Sequence, residues 1–193
     1  MMQQITQKIC FGLILMAVVS LFEAGYWQNG DSHTTHAEES NDQQLKQKED
    51  FLPATKAEAQ VRARLLHETI HGSLQVMHRD FFQEDESITI PSHSLEDVFK
   101  ELNRTFGVKV RWLAVNAKAM NIDNEPKTEF EKSAVEVLSD GKPEYEILSD
   151  DTYHFAGSIR LPSQCLKCHL PGRKSNKDRV AGLVISMPFK KQK

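Results

Sequence analysis

Two cysteines and a histidine stand within five consecutive residues, Cys165-Leu166-Lys167-Cys168-His169. Thiols spaced in this way, followed at once by an imidazole, are the attachment pattern of a c-type haem. Each thiol can add across one vinyl group of a porphyrin, which fixes the ring edge against a short stretch of chain. The adjoining His169 then falls under the iron as proximal ligand, and axial ligands largely decide what the iron does. Two other chemistries use the same residue types. Cys165 and Cys168 could share a structural zinc ion with His67 and His71, whose H-x-x-x-H spacing suits a second ligand pair. They could also form a redox disulfide, but the strand-then-helix setting of a thioredoxin motif is missing.

Composition and the N-terminus narrow the choice. Of 193 residues, 39% are hydrophobic and 26% charged, ordinary for a soluble domain. A formal charge of −3 argues against nucleic acid as a partner. Lys8 precedes an uncharged apolar run, residues 9–22, shorter than the about 20 residues of a bilayer span. That suits a signal-peptide core. Phe22 is a poor residue ahead of a cleavage after Ala24, so an uncleaved anchor competes, with Tyr26 and Trp27 at the interface. Residues 1–27 therefore read as signal peptide or membrane anchor. The remainder reads as exported, periplasmic or on the outer face of the cytoplasmic membrane. Cys10 lies in the leader, which leaves Cys165 and Cys168 alone in the exported part, with no thiols for a structural disulfide. An oxidising compartment also weakens the zinc reading. Residues 28–53 are polar and nearly devoid of aliphatic side chains, and read as a disordered linker in which His33 and His36 are solvated.

The elements that must position the Cys-x-x-Cys-His segment begin at about residue 54. Residues 55–84 hold no proline, and Leu66, Ile70, Leu74, Met77 and Phe81 recur at helical steps, which makes one long amphipathic helix. His67, His71 and His78 fall within about 40° of one another on its edge, near enough for one of them to face a cofactor. After a charged turn at 83–91, a second helix starts near Ser94 and ends at Gly107 as a C′ residue. Residues 108–115 alternate as a strand. Pro126 opens a short helix closed by Gly141. Strands at 145–148 and 152–161 form a hairpin, the Cys-x-x-Cys-His segment falls in the loop after it, and a strand at 179–187 completes the sheet. Helices first and neighbouring strands afterwards indicate an α+β domain with an antiparallel sheet, spanning 54–193.

This order of elements, with three local patterns, resembles the DUF3365 or Tll0287-like family of c-type haem domains over roughly residues 55–190. The patterns are Cys165 to His169, the segment Asn121-Ile122-Asp123-Asn124-Glu125-Pro126 with Glu131 following, and the closing Ala181-Gly182-Leu183-Val184-Ile185-Ser186-Met187-Pro188. Ile122 stands where the family's Asn-Pro-x-Asn-x-Pro pattern has its first proline. The resemblance implies a PAS-like antiparallel sheet flanked by helices, with a long N-terminal helix. It also implies one covalent haem c held by Cys165 and Cys168, with His169 as proximal iron ligand. Some relatives carry a distal cysteine on the first helix; matching residues 72–77 to the segment before that cysteine puts His78 in its place, with His71 second and Met77 third. Arg111, Arg160 and Arg173 are candidates for the haem propionates.

A bis-histidine iron favours electron transfer or redox sensing over oxygen activation. The expected function is an exported haem protein with a redox role, sensing redox state or a gas through a signalling partner. A small periplasmic electron-transfer cytochrome with a redox partner protein is the alternative, and a structural zinc domain the weaker one. The 9–22 run would supply a membrane tether. One haem and no distal acid–base pair make an enzyme, such as a peroxidase, the weakest reading, so no catalytic residue is assigned.

Overall fold

Four stretches rich in β-branched and aromatic residues become strands: β1 (Lys109–Ala114), β2 (Glu144–Ser149), β3 (Thr152–Leu161) and β4 (Arg179–Pro188). They pair antiparallel throughout in the order β1-β4-β3-β2. The computed structural model describes residues 42, 43, 45, 46, 48–80, 90–163, 165–170 and 172–190. The leader at 1–27, the first part of the linker, and the charged turn with Phe81 lie outside them. Contacts divide the chain into units 1–45 and 46–193, and everything below concerns the second.

Helices cover both faces of the sheet. α1 (Lys56–Asp80) and α2 (Pro91–Phe106) pack on one face, α3 (Glu129–Ser139) on the other, and α4 (Leu166–His169) is a single turn between β3 and β4. The period of two along the strands assigns the faces. Trp112, Phe155, Leu183 and Ile185 join Ala59, Ala63, Ile70, Leu95 and Phe99 in the larger core. Their neighbours Leu113, Ala156 and Val184 join Ala134 and Leu138 of α3 in the smaller one. β4 runs between β1 and β3, is buried on both sides and so reads as a continuous apolar run. The fold is α+β and PAS-like, as the sequence and its resemblance imply.

Several boundaries differ from the sequence reading, each for a local reason. α2 starts at Pro91, which sits at its first turn where the missing N–H costs nothing. It ends as expected at Gly107, whose φ of 70° is left-handed and whose N–H donates to the Asn103 carbonyl at 2.9 Å. α3 is opened by Thr128 rather than Pro126, through a capping box with Glu131. The linker ends before residue 53. Residues 48–50 are helical, Phe51 packs at a tilt against Phe106 with ring centroids 4.5 Å apart, Pro53 is buried, and its carbonyl accepts from the Lys190 N–H at 3.0 Å. Phe51 and Pro53 are thus part of the domain.

Candidate functional site

The Cys-x-x-Cys-His segment is a helical turn, not an open loop. The Cys165 N–H donates to the Pro162 carbonyl at 2.9 Å, the His169 N–H to the Cys165 carbonyl at 3.1 Å, and the Leu170 N–H to the Leu166 carbonyl at 3.1 Å. Leu166 anchors the turn with a side chain that is 0% exposed. Arg173 Nη1 donates to the Leu166 carbonyl at 2.9 Å, a second tie on the same turn. One helical turn puts residues three apart on one side, so Cys165 and Cys168 emerge together, half-buried and exposed respectively, and unbridged. Burial and the neighbouring Cys168 push the Cys165 thiol up from its ordinary value. A redox or metal-binding cysteine needs the opposite shift, towards thiolate.

His169 closes the turn half-buried. Burial pushes its pKa down, and a charge on His78 would push it down further, which sets the two imidazoles in electrostatic reach of each other. His78, in the last turn of α1, is itself held low by burial. The two rings come from elements far apart in sequence, and both favour the neutral form that can donate a lone pair.

α1 carries His78 to this place because its other end is stapled to the sheet. Lys56 and Gln60 meet the Glu146 carboxylate on β2, each at 3.0 Å, and Arg64 Nε donates to Glu144 at 2.9 Å. Ala59 and Ala63 are fully buried and let the helix approach closely. They set the centre of the buried stripe, and His67 follows on the same line, in the core rather than at its edge. His71 is half-buried; Met77 packs against the core. Burial and the neighbouring His67 push the His71 pKa down.

The arginines offered for propionates have other work. Arg111 pairs with the buried Glu131 and donates to the Asp123 and Glu125 carbonyls. Arg160 donates to Asp178 at 2.7 Å, and Arg173 holds the α4 turn. The Asn121-to-Glu131 segment is thereby fastened to β1 as a brace. The zinc reading that joined Cys165 and Cys168 to His67 and His71 is not assembled. Among the described residues, the ligand cluster with those histidines adds Glu68 and contains no cysteine. Sequence reasoning missed Gly157, on which His67 lies; a glycine inside a strand is the signal for such a close approach.

The sequence pattern of the Tll0287-like family matches residues 46–186. The chain belongs to the Tll0287-like family. Its fold is similar to the crystal structure of the cyanobacterial heme-protein Tll0287, with a TM-score of 0.51 and 15% identity, covering 72% of this chain and 100% of that one. At that identity the likeness concerns the fold. No curated protein matches the sequence. The family match takes in both α1 and α4, and so every residue of the His169 and His78 pairing.

Proposed function

We propose that this Tll0287-like protein binds one covalent haem c and serves a redox role. Cys165 and Cys168 hold the porphyrin as thioethers, His169 is the proximal ligand and His78 the distal one. The observation that carries this reading is one helical turn that presents two thiols and His169, with His78 of α1 in electrostatic reach of that imidazole. The donor set fits the group: two unbridged thiols able to add to vinyl carbons, and two imidazoles that burial holds neutral, from separate elements. The heme-protein of similar fold adds to the case. Once bound, the haem iron supplies reversible one-electron chemistry.

The chain's own residues would do the rest. Leu166 and Arg173 keep the α4 turn rigid, so the thiols and the His169 imidazole hold a fixed mutual arrangement. The sheet and the α1 staple fix His78 on the other side. Two protein ligands leave no open position, which favours electron exchange or redox sensing with a partner protein over catalysis, while a gas sensor would need His78 to release. The small electron-transfer cytochrome is the second reading, favoured by the same closed ligand pair. Residues 1–27 would export the chain to the periplasm or tether it to the membrane's outer face.

Haem staining on a denaturing gel tests the attachment, with a pyridine haemochrome spectrum of protein expressed with its leader. Cys165→Ala with Cys168→Ala should remove covalent pigment completely, and retained staining would falsify it. His78→Ala should convert a low-spin ferric spectrum to high-spin. An unchanged spectrum would move the distal role to His71 or Met77.

A further inference from the structure

A second group of ligating side chains lies on α1, away from the thiols. A ring nitrogen from each of His67 and His71 and a carboxylate oxygen of Glu68 lie within 4.8 Å of one another. The two imidazole centroids are 5.7 Å apart. The spacing has a simple cause: residues four apart stack on one side of a helix, and the intervening carboxylate reaches round to them.

His67 is the fixed member. It is 5% exposed and meets Phe155 edge-on at 5.9 Å. Its ring lies so close to Gly157 that a Cβ there would come within 2.3 Å of it. Gly157 leaves space for the imidazole and sets its plane. Nδ1 faces Glu68 Oε1 at 3.0 Å, whereas Nε2 is buried with no hydrogen-bond partner. The Nε2 edge of the ring lies against Gly157, so Nδ1, on the Glu68 side, is the nitrogen that would face an ion. His71 has an outer partner, the Gln75 carboxamide, 2.8 Å from its Nε2. Partners of this kind orient metal-bound imidazoles.

We propose that His67, Glu68 and His71 bind one divalent transition-metal ion of the zinc or copper(II) type. Two nitrogens and one carboxylate suit such borderline ions, whereas calcium and magnesium want oxygen ligands. Glu68 is exposed, so the ion would enter from solvent and keep a water position. The site is separate from the haem pair, because the seven-residue step along the helix from His71 to His78 spans about 10 Å. It does not depend on the haem reading.

The test titrates Zn²⁺ alone into the chelator-treated full chain by calorimetry and counts metal after dialysis. Haem-loaded protein has its thiols consumed, and any free thiols are first blocked with iodoacetamide. If the chain carries no haem, the blocked protein answers the same question. One zinc per chain is expected, bound at least tenfold more weakly in Glu68→Gln and at least a hundredfold more weakly in His71→Ala. Both substituted side chains reach solvent, and a melting curve checks that the variants fold. The haem spectrum of the loaded variants should stay unchanged. Absence of stoichiometric zinc, or zinc indifferent to both substitutions, overturns the proposal. So does a change of spin state in His71→Ala, which would give that imidazole to the iron.

Discussion

The most deeply buried polar groups on the two faces of the sheet, Glu131 on one and His67 on the other, are treated in opposite ways. On the α3 face, Glu131 is 5% exposed, and each of its contacts answers its charge. Its carboxylate accepts from the Lys127 and Thr128 N–H groups at 2.6 and 3.0 Å and pairs with Arg111. Burial works to raise its pKa, but Arg111 and those two N–H groups together hold it below the usual carboxylate value. On the α1 face, His67 buries an unpartnered Nε2, and His71, His78 and His169 are held neutral by burial. Compensated charge marks the brace of the fold. The unpartnered imidazole nitrogen belongs to the histidine cluster proposed above to hold a metal ion.

Removing the brace should produce the largest loss. Glu131→Ala leaves Arg111 uncompensated and dismantles the α3 capping box, a cost of about 3 kcal/mol. Thermal unfolding should start roughly 10 °C lower in a domain of this size, and a fall under 2 °C would make the brace ornamental. Gly157→Ala comes next. Its new Cβ would overlap the His67 ring, and overpacking of that kind costs about 1–3 kcal/mol. In a His67→Ala background the same substitution should be almost free. If urea midpoints show the two changes simply adding, the two residues do not press on each other. His67→Leu should act the other way. It removes an unsatisfied buried nitrogen, so stability should hold or rise by up to about 1 kcal/mol while zinc binding is lost. A marked destabilisation would mean that the imidazole serves the fold.

Much of this was legible in the sequence, and the limits have physical causes. The haem expectation for Cys165, Cys168 and His169 rests on five consecutive residues, and the structure adds that they form one helical turn. The strands follow from β-branched alternation, and Gly107 from its place after an apolar helical run. The approach of His78 to His169 depends on α1 crossing the sheet, a long-range packing outcome that only the family resemblance suggested. Ala59 and Ala63 drew no attention as small residues, so His67 was set at the edge of a stripe whose centre it occupies. Thr128-x-x-Glu131 carries the capping-box spacing, but Pro126 two residues earlier offers a competing start signal in the sequence. Phe51 and Pro53 vanish in a polar stretch because two apolar residues make no period.

Acid should separate the imidazoles from the carboxyls with the smallest effect. For a carboxyl, a lowered folded pKa adds stability above its unfolded value near 4.5 and loses it as pH falls through the folded one. For an imidazole, a lowered folded pKa means that the folded state prefers the neutral ring. His71, His78 and His169 therefore add stability above about pH 6.5, and lose it as pH drops below that point. Urea midpoints recorded from pH 8 to pH 3 should fall in two stages. The first comes from the half-buried imidazoles, with His154 on the α3 face among them. The second comes from the carboxyls held low, Glu146 on the α1 face as well as Glu131. The first stage should be shallow, because these rings are only half-buried. Glu131→Gln should reduce the second stage, and His78→Ala should reduce only the first. A single decline below pH 4.5, unaltered by His78→Ala, would mean that the imidazoles are not held neutral by the fold, and the contrast between imidazoles and carboxyls would go with it.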